Sequence, residues 1–295
     1  MNKLGIFMNF WENDWNADHV KYLKKAKEIG FDILEFQAQP LREMSQQRLT
    51  EMKAVAAEYD IEMTYSLGLD KAYDISSSDE SIRQKGIQYL TEIMEKVAFL
   101  NGRIISGVSY AGWGVPDAPH FTKEELTHNS ILSMKKISKI AESLGITYGV
   151  EAVNRFEGVV LNTAKEAVNY VKAVDSANVG VLLDTYHMNI EEKSFREAIL
   201  TAGDLLVGFH TGDNNRCIPG KGHIDWEEIF QALADINYTG QIVSEPFVMR
   251  GGQVGRDIYV WRDLVEDTSE QAIDREAAEL LAFEKRMLKA ASKSN

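Results

Sequence analysis

Eight short apolar segments recur along the chain, each followed by enough residues for a helix. They cover residues 4–10 (LGIFMNF), 32–37 (DILEFQ), 61–68 (IEMTYSLG) and 103–109 (RIISGVS), then 147–153 (TYGVEAV), 179–185 (VGVLLDT), 205–211 (LLVGFHT) and 241–247 (QIVSEPF). Short apolar runs of this kind fit buried strands. Between them the apolar positions take helical spacing. Within 17–30, Val20, Leu23, Ala26 and Ile29 share one face and Gly30 stands at the C-terminal stop. Residues 122–145 open on Thr122 as a candidate N-cap and end at Gly145, and 194–203, 225–237 and 271–290 repeat the pattern. Parallel neighbours need a crossover, so strand–helix alternation predicts a parallel sheet. Eight such units closing on themselves predict an α/β fold, a (β/α)8 TIM barrel spanning residues 1–295 as a single domain. An open doubly wound sheet would carry a Gly-rich turn after its first strand, where this chain has NFWENDW.

In such barrels the chemistry gathers at the C-terminal ends of the strands. The fifth strand ends with Glu151, the sixth with Asp184, the seventh with His210 and the eighth with Glu245. Taken singly, each acid reads as a loop cap and the histidine as a core residue. Taken together, three neighbouring buried carboxylates would cost several kcal/mol each through desolvation and repulsion. One divalent cation removes that cost, so the four form a candidate metal site. The oxygen-rich set favours Mn2+, Mg2+ or Co2+ over a thiolate-type zinc site and leaves positions open, without ranking the three metals. A second ring follows: Glu157, His187 and Arg216, each expected in the loop after its strand, reach a polyol or else are solvated loop charges.

Composition narrows the partners. The chain of 295 residues is 44% hydrophobic and 26% charged, an ordinary globular balance. No apolar run approaches the roughly 18–20 residues that cross a bilayer, so no membrane association is expected. Acids and aromatics crowd the first fifteen residues, and Cys217 is the single cysteine. Both point to a cytoplasmic, reducing setting. A net charge of −13 without a Lys/Arg cluster excludes nucleic acid as a partner.

Strands five and eight stand three places apart in a ring of eight, so Glu151 and Glu245 lie about 135° apart around the barrel axis. They face opposite sides of anything held above the cation. A bidentate α-hydroxyketone would lose a carbon-bound proton to one glutamate, with the cation stabilising the enediolate, and regain it from the other on the opposite face. General acid–base work is worth about 10²–10⁴-fold per group. Two opposed bases suit epimerisation; a single base suits aldose–ketose isomerisation. Phe7, Trp15, Trp113 and Phe247 sit near strand ends and supply aromatic surface for a sugar, unless they are ordinary core.

The stretches GIFMNFWENDW, VNRFE, LDTYHMNIEE, HTGDNNR, PGKG, INYTG, EPF, GGQVG and VWRDL make the chain resemble, over nearly its whole length, the D-tagatose 3-epimerase / D-allulose (D-psicose) 3-epimerase family of ketose 3-epimerases. The resemblance implies a xylose-isomerase-like barrel that epimerises free ketoses at C3, of the D-tagatose, D-fructose/D-allulose and L-ribulose type. It implies one divalent metal ion per subunit, Mn2+ first with Co2+ or Mg2+ behind it, and a homodimer or homotetramer. By resemblance the metal ligands are Glu151, Asp184, His210 and Glu245, the catalytic pair Glu151 and Glu245, and the ketose-binding residues Glu157, His187 and Arg216. Residues 66–83 look closer to the tagatose branch. Asp213, His223 and Asp225 depart from the family pattern. The Gly-rich 250–256 (RGGQVGR) is expected as a lid-forming loop, or in a rival reading as a phosphate cradle. The same carboxylate core would also suit an enzyme of the hydroxypyruvate isomerase or inosose dehydratase type, or a sugar-binding barrel without catalysis.

Overall fold

The computed structural model describes residues 2–116 and 120–292. Its elements run β1 (Leu4–Phe7), α1 (His19–Ile29), β2 (Ile33–Gln37), α2 (Gln46–Glu58), β3 (Glu62–Ser66), α3 (Glu80–Phe99), β4 (Ile104–Ser106), α4 (Lys123–Leu144) and β5 (Thr147–Ala152). They continue with α5 (Ala164–Val174), β6 (Val179–Asp184), α6 (Thr185–Glu191), α7 (Phe195–Ala202), β7 (Leu206–Thr211), α8 (Trp226–Asp235), β8 (Gln241–Ser244), α9 (Gly252–Asp257) and α10 (Glu270–Ala291). The strands close into a barrel in chain order with every neighbouring pair parallel, as the eightfold alternation predicts. Every residue of β1, β2, β6 and β8 is buried, because helices cover the outer face of the sheet.

The helix signals hold with adjustments. Thr122 caps α4 by accepting the Glu125 N–H at 3.1 Å, and Gly145 ends that helix in the left-handed region. The face of α1 is rotated from the expected one: His19, Tyr22, Leu23 and Ala26 are buried, while Val20 and Ile29 are half-covered. Rings account for this, since Tyr22 stacks on Trp11 and His19 packs on Phe36. The strands are shorter than the apolar runs. The first breaks after Phe7 into a single 3-10 turn (Met8–Phe10), and the last stops at Ser244. Even so, the Glu245 N–H still reaches the Thr211 carbonyl at 2.8 Å, which carries the ladder one bond past β8. Two helices were not expected, α6 and α9.

A buried carboxylate joins α10 to the strands. Thr211 and Ser244 face each other across β7 and β8, and both hydroxyls donate to Glu284 Oε1, at 2.5 and 2.8 Å. Oε2 has no partner among the described residues, and burial pushes the Glu284 carboxyl up to about 7. The unfolded chain ionises this group in the ordinary range. Its contribution to stability is therefore fully present below that range and lost as pH rises towards about 7. The loss is at most about 3 kcal/mol. Glu284→Gln should gain on the wild type between pH 5 and pH 8 in denaturant unfolding; a gap independent of pH would mean that Glu284 is already ionised when folded.

Candidate metal centre and active site

Glu151 comes from β5, Asp184 from the last position of β6, His210 from β7, and Glu245 from the first residue after β8. Asp184 and His210 are partners in the β6–β7 register, which sets them at one height. One ligand-type atom from each of the four lies within 4.8 Å of the others, and all four side chains are buried. Among the described residues, Glu151 Oε1 and His210 Nδ1 have no hydrogen-bond partner. Burial, then the neighbouring Glu245, holds the Glu151 carboxyl well above the usual range. Burial opposes charge on His210, but Glu35 and Glu245 beside it prevail and raise its pKa well above the usual value. Both shifts say that the cluster lacks positive charge. Three hard oxygen donors and one imidazole with unsatisfied atoms converging on a point fit one divalent cation.

The second ring is buried too, which removes the reading of solvated loop charges. Asp184 caps α6 through the Tyr186 N–H at 2.8 Å, so His187 stands one turn along the same helix face, over the cluster. His187 thus lies on a helix rather than in the expected loop. Its Nδ1 accepts the backbone N–H of Asn154 at 3.2 Å, which leaves the hydrogen on Nε2, 3.5 Å from Glu151 Oε1. Burial, then Arg216, lowers the His187 pKa to about 3, so the ring is a neutral donor. The Asn154 amide also donates to Glu157 Oε1 at 2.9 Å.

Arg216 bridges the two rings. Its Nη1 lies 2.9 Å from Asp184 Oδ2 and 3.1 Å from Glu245 Oε2, while Nη2 lies 3.3 Å from His187 Nε2 and 4.0 Å from Glu157. The guanidinium sits 4.0 Å from the Tyr186 ring centroid and 5.3 Å from that of Phe247. Its backbone is left-handed at φ 67°, strained for a side-chain-bearing residue. Two hydrogen bonds hold it there, from the Arg216 N–H to the Asp213 carbonyl and from the Phe247 N–H to the Arg216 carbonyl. Asp213 shapes this loop, since its buried carboxylate accepts from Asn214, Gly220 and Trp226. Asp225 is the N-cap of α8.

One cavity collects Glu151, Glu245, Glu157, His187 and Arg216 with Phe7, Trp15, Trp113 and Phe247; Asp184 and His210 lie beneath them. Phe7 and Phe247 belong to a small cluster separate from the main core, with ring centroids 5.8 Å apart and Trp15 at their edge. Val254 of α9 packs on them. The expected lid loop is therefore partly a helix. It is pinned by the Val254 N–H to the Asn13 carbonyl, and a Cβ on Gly252 would come within 2.0 Å of that same carbonyl oxygen. Sequence reasoning missed Glu35, Asn154 and Tyr186. Glu35 is a lone acid inside an otherwise apolar strand, and Asn154 and Tyr186 lie within the VNRFE and LDTYHMNIEE stretches without a role assigned to them there.

A closed parallel barrel with this cluster at the strand ends defines a class, and the sequence profile of the xylose isomerase-like TIM barrel family matches residues 23–280. A D-psicose 3-epimerase of Ruminiclostridium cellulolyticum is 42% identical over 286 residues, 97% of this chain and 98% of that protein. A D-psicose 3-epimerase of Agrobacterium fabrum is 41% identical over 286 residues, 97% of this chain and 99% of that protein. The crystal structure of D-psicose 3-epimerase with D-tagatose from Clostridium cellulolyticum H10 matches at a TM-score of 0.95 and 42% identity, over 97% of this chain and 99% of that one. The chain belongs to the ketose 3-epimerase family, and it is an isomerase of the carbohydrate epimerase class. The relatives carry the psicose label, whereas residues 66–83 led to an expectation of the tagatose branch.

A cation held by this cluster stabilises the folded state. At free Mn2+ of about 100 times its dissociation constant, unfolding should cost about 2.7 kcal/mol more than in chelator. Asp184→Asn, which can still cap α6, should abolish most of that gain. Identical unfolding curves with Mn2+ and with chelator would sink the metal assignment.

Proposed function

We propose that this protein interconverts free ketoses at C3, with Glu151 and Glu245 as the acid–base pair. The observation that carries this reading is the convergence of two glutamates, from strands three places apart, on one buried cluster at the floor of an aromatic-walled cavity. Glu151, Asp184, His210 and Glu245 would hold one divalent cation, Mn2+ first and Co2+ or Mg2+ behind it. When bound, the cation supplies Lewis-acid stabilisation of the charge that develops on the sugar oxygens. His187 Nε2–H and the Arg216 guanidinium donate to the oxygens of the ketose, and Glu157 accepts from a hydroxyl. Phe7, Trp15, Trp113 and Phe247 pack on the C–H surface and keep water from the reacting carbon. One glutamate takes the C3 proton, and the electron pair passes into a cis-enediolate. The other glutamate returns a proton to the opposite face, which inverts C3.

D-Psicose, D-fructose, D-tagatose and L-ribulose are the substrates to compare, since relatives are named for psicose and ribulose. We further propose a cytoplasmic single-domain subunit that assembles as a homodimer or homotetramer. The phosphate reading loses support because the Val254 and Gly255 N–H groups in RGGQVGR already bond the Asn13 and Gly251 carbonyls.

The test strips the protein with chelator, restores Mn2+ and incubates it with each ketose in D2O, following C3 by NMR. Metal-dependent deuterium at C3 together with the C3 epimer is expected. Glu245→Gln and Glu151→Gln should each lower turnover by about 10²–10⁴-fold or more while ketose binding stays detectable. Deuterium at C1 with aldose formation would replace epimerisation by isomerisation, and full activity in Glu245→Gln would remove that residue from the mechanism.

A further inference from the structure

We infer that Glu35 is a positioning residue of the metal centre: it receives the Nε2 hydrogen of His210 from across the barrel and so turns Nδ1 towards the cation. The inference rests on the metal-site reading above and adds a residue that lies outside the four ligands. β2 and β7 are separated around the ring by β1 and β8, so a contact between them is made through the barrel interior and not along a ladder. Glu35 Oε1 stands 3.0 Å from His210 Nε2, off the line of the N–H, and both residues are fully buried. Among the described residues neither atom makes a hydrogen bond, to the other or elsewhere. On the other carboxylate oxygen, Thr64 Oγ1 donates to Oε2 at 2.8 Å, and Thr64 is the register partner of Glu35 on β3. The carboxylate is thus held from one side and aimed at the imidazole on the other.

The opposite edge of the ring completes the geometry. His210 Nδ1 lies 3.8 Å from Glu245 Oε2, within the cluster, and has no hydrogen-bond partner among the described residues. A neutral imidazole carries one hydrogen, on one nitrogen or the other. The carboxylate at Nε2 favours the hydrogen there, which leaves the Nδ1 lone pair free to bind metal. Carboxylates that orient a ligating histidine in this way fix its tautomer and ring position and raise its basicity. A buried carboxylate kept only for stability would be a poor choice, because an apolar residue of similar volume often serves as well or better.

Mn2+ alone is the probe, titrated onto chelator-treated protein and followed by electron paramagnetic resonance. Glu35→Gln keeps the shape and loses the charge; Glu35→Leu loses both. The dissociation constant should rise about 10–100-fold in Glu35→Gln and at least as far in Glu35→Leu. The second readout is the imidazole 15N spectrum of His210 in the Mg2+-loaded wild type, which a merely structural role would not set: Nε2 should carry the hydrogen, with a resonance that shifts in Glu35→Gln. A wild type that binds Mn2+ while both variants bind it equally well overturns this inference alone. So does a wild type with the hydrogen on Nδ1, and that measurement stands even if neither variant folds. A wild type without any Mn2+ site overturns the metal reading and this inference with it.

Discussion

Crowding of carboxylates at one point inside an apolar barrel is the constraint from which the site's other features follow. Glu35, Glu151, Asp184, Glu157 and Glu245 are all buried around the same cavity floor. Water cannot solvate them there, and mutual repulsion adds to the desolvation cost. Each neighbouring feature supplies positive charge or a donor. Arg216 lies between Asp184 and Glu245, the amide end of α6 meets Asp184, Asn154 meets Glu157, and His210 faces Glu35. One guanidinium cannot balance five acids. The raised pKa values of Glu151 and His210 express that deficit, and a divalent cation bound there would offset part of it.

Precision at the site comes from rigid elements rather than from the loops between them. Parallel register fixes Asp184 beside His210, and the ladder's last bond fixes Glu245 just beyond β8. The two groups carried on loops are tied down by backbone. Arg216 is locked in a left-handed conformation between the Asp213 carbonyl and the Phe247 N–H, and Glu157 hangs on the turn that Asn154 makes. Strain at Arg216 costs of order 1–3 kcal/mol and persists because the Asp213-centred loop over-determines it. A guanidinium held in this way has little freedom left to lose.

The four floor residues were legible because each ends an apolar run that can only be a strand, and a polar residue in that place lies at the barrel mouth. The barrel was legible for the same reason. His187 was legible as a site residue but not as a helical one, because α6 has seven residues, too few for a periodic signal. The face of α1 was misjudged by one position because ring stacking at Tyr22 and His19 outweighs aliphatic spacing. Glu35 was passed over for a different reason. A polar residue within a strand reads as a solvated position until topology shows that the strand is covered on both faces, and its partner comes from the far side of the ring.

Burial divides the cavity into a sealed floor and an open rim. The floor and second ring are sealed, while Trp15 and Trp113 at the rim are half-exposed and Phe156 beyond them is open to solvent. The departures from the family pattern fall on neither part: Asp213 shapes a loop, Asp225 caps α8, and His223 is exposed with its N–H on Asn214. The 213–226 segment joins the cavity at Arg216, whose N–H is held by the Asp213 carbonyl. A proton transfer at a carbon close to the floor depends on groups that burial and charge balance leave little room to vary. The far end of a ketose meets aromatic rims whose contacts are apolar and weakly directional. Under the proposed mechanism, reaction type would be held by the sealed residues and substrate choice by those at the open rim.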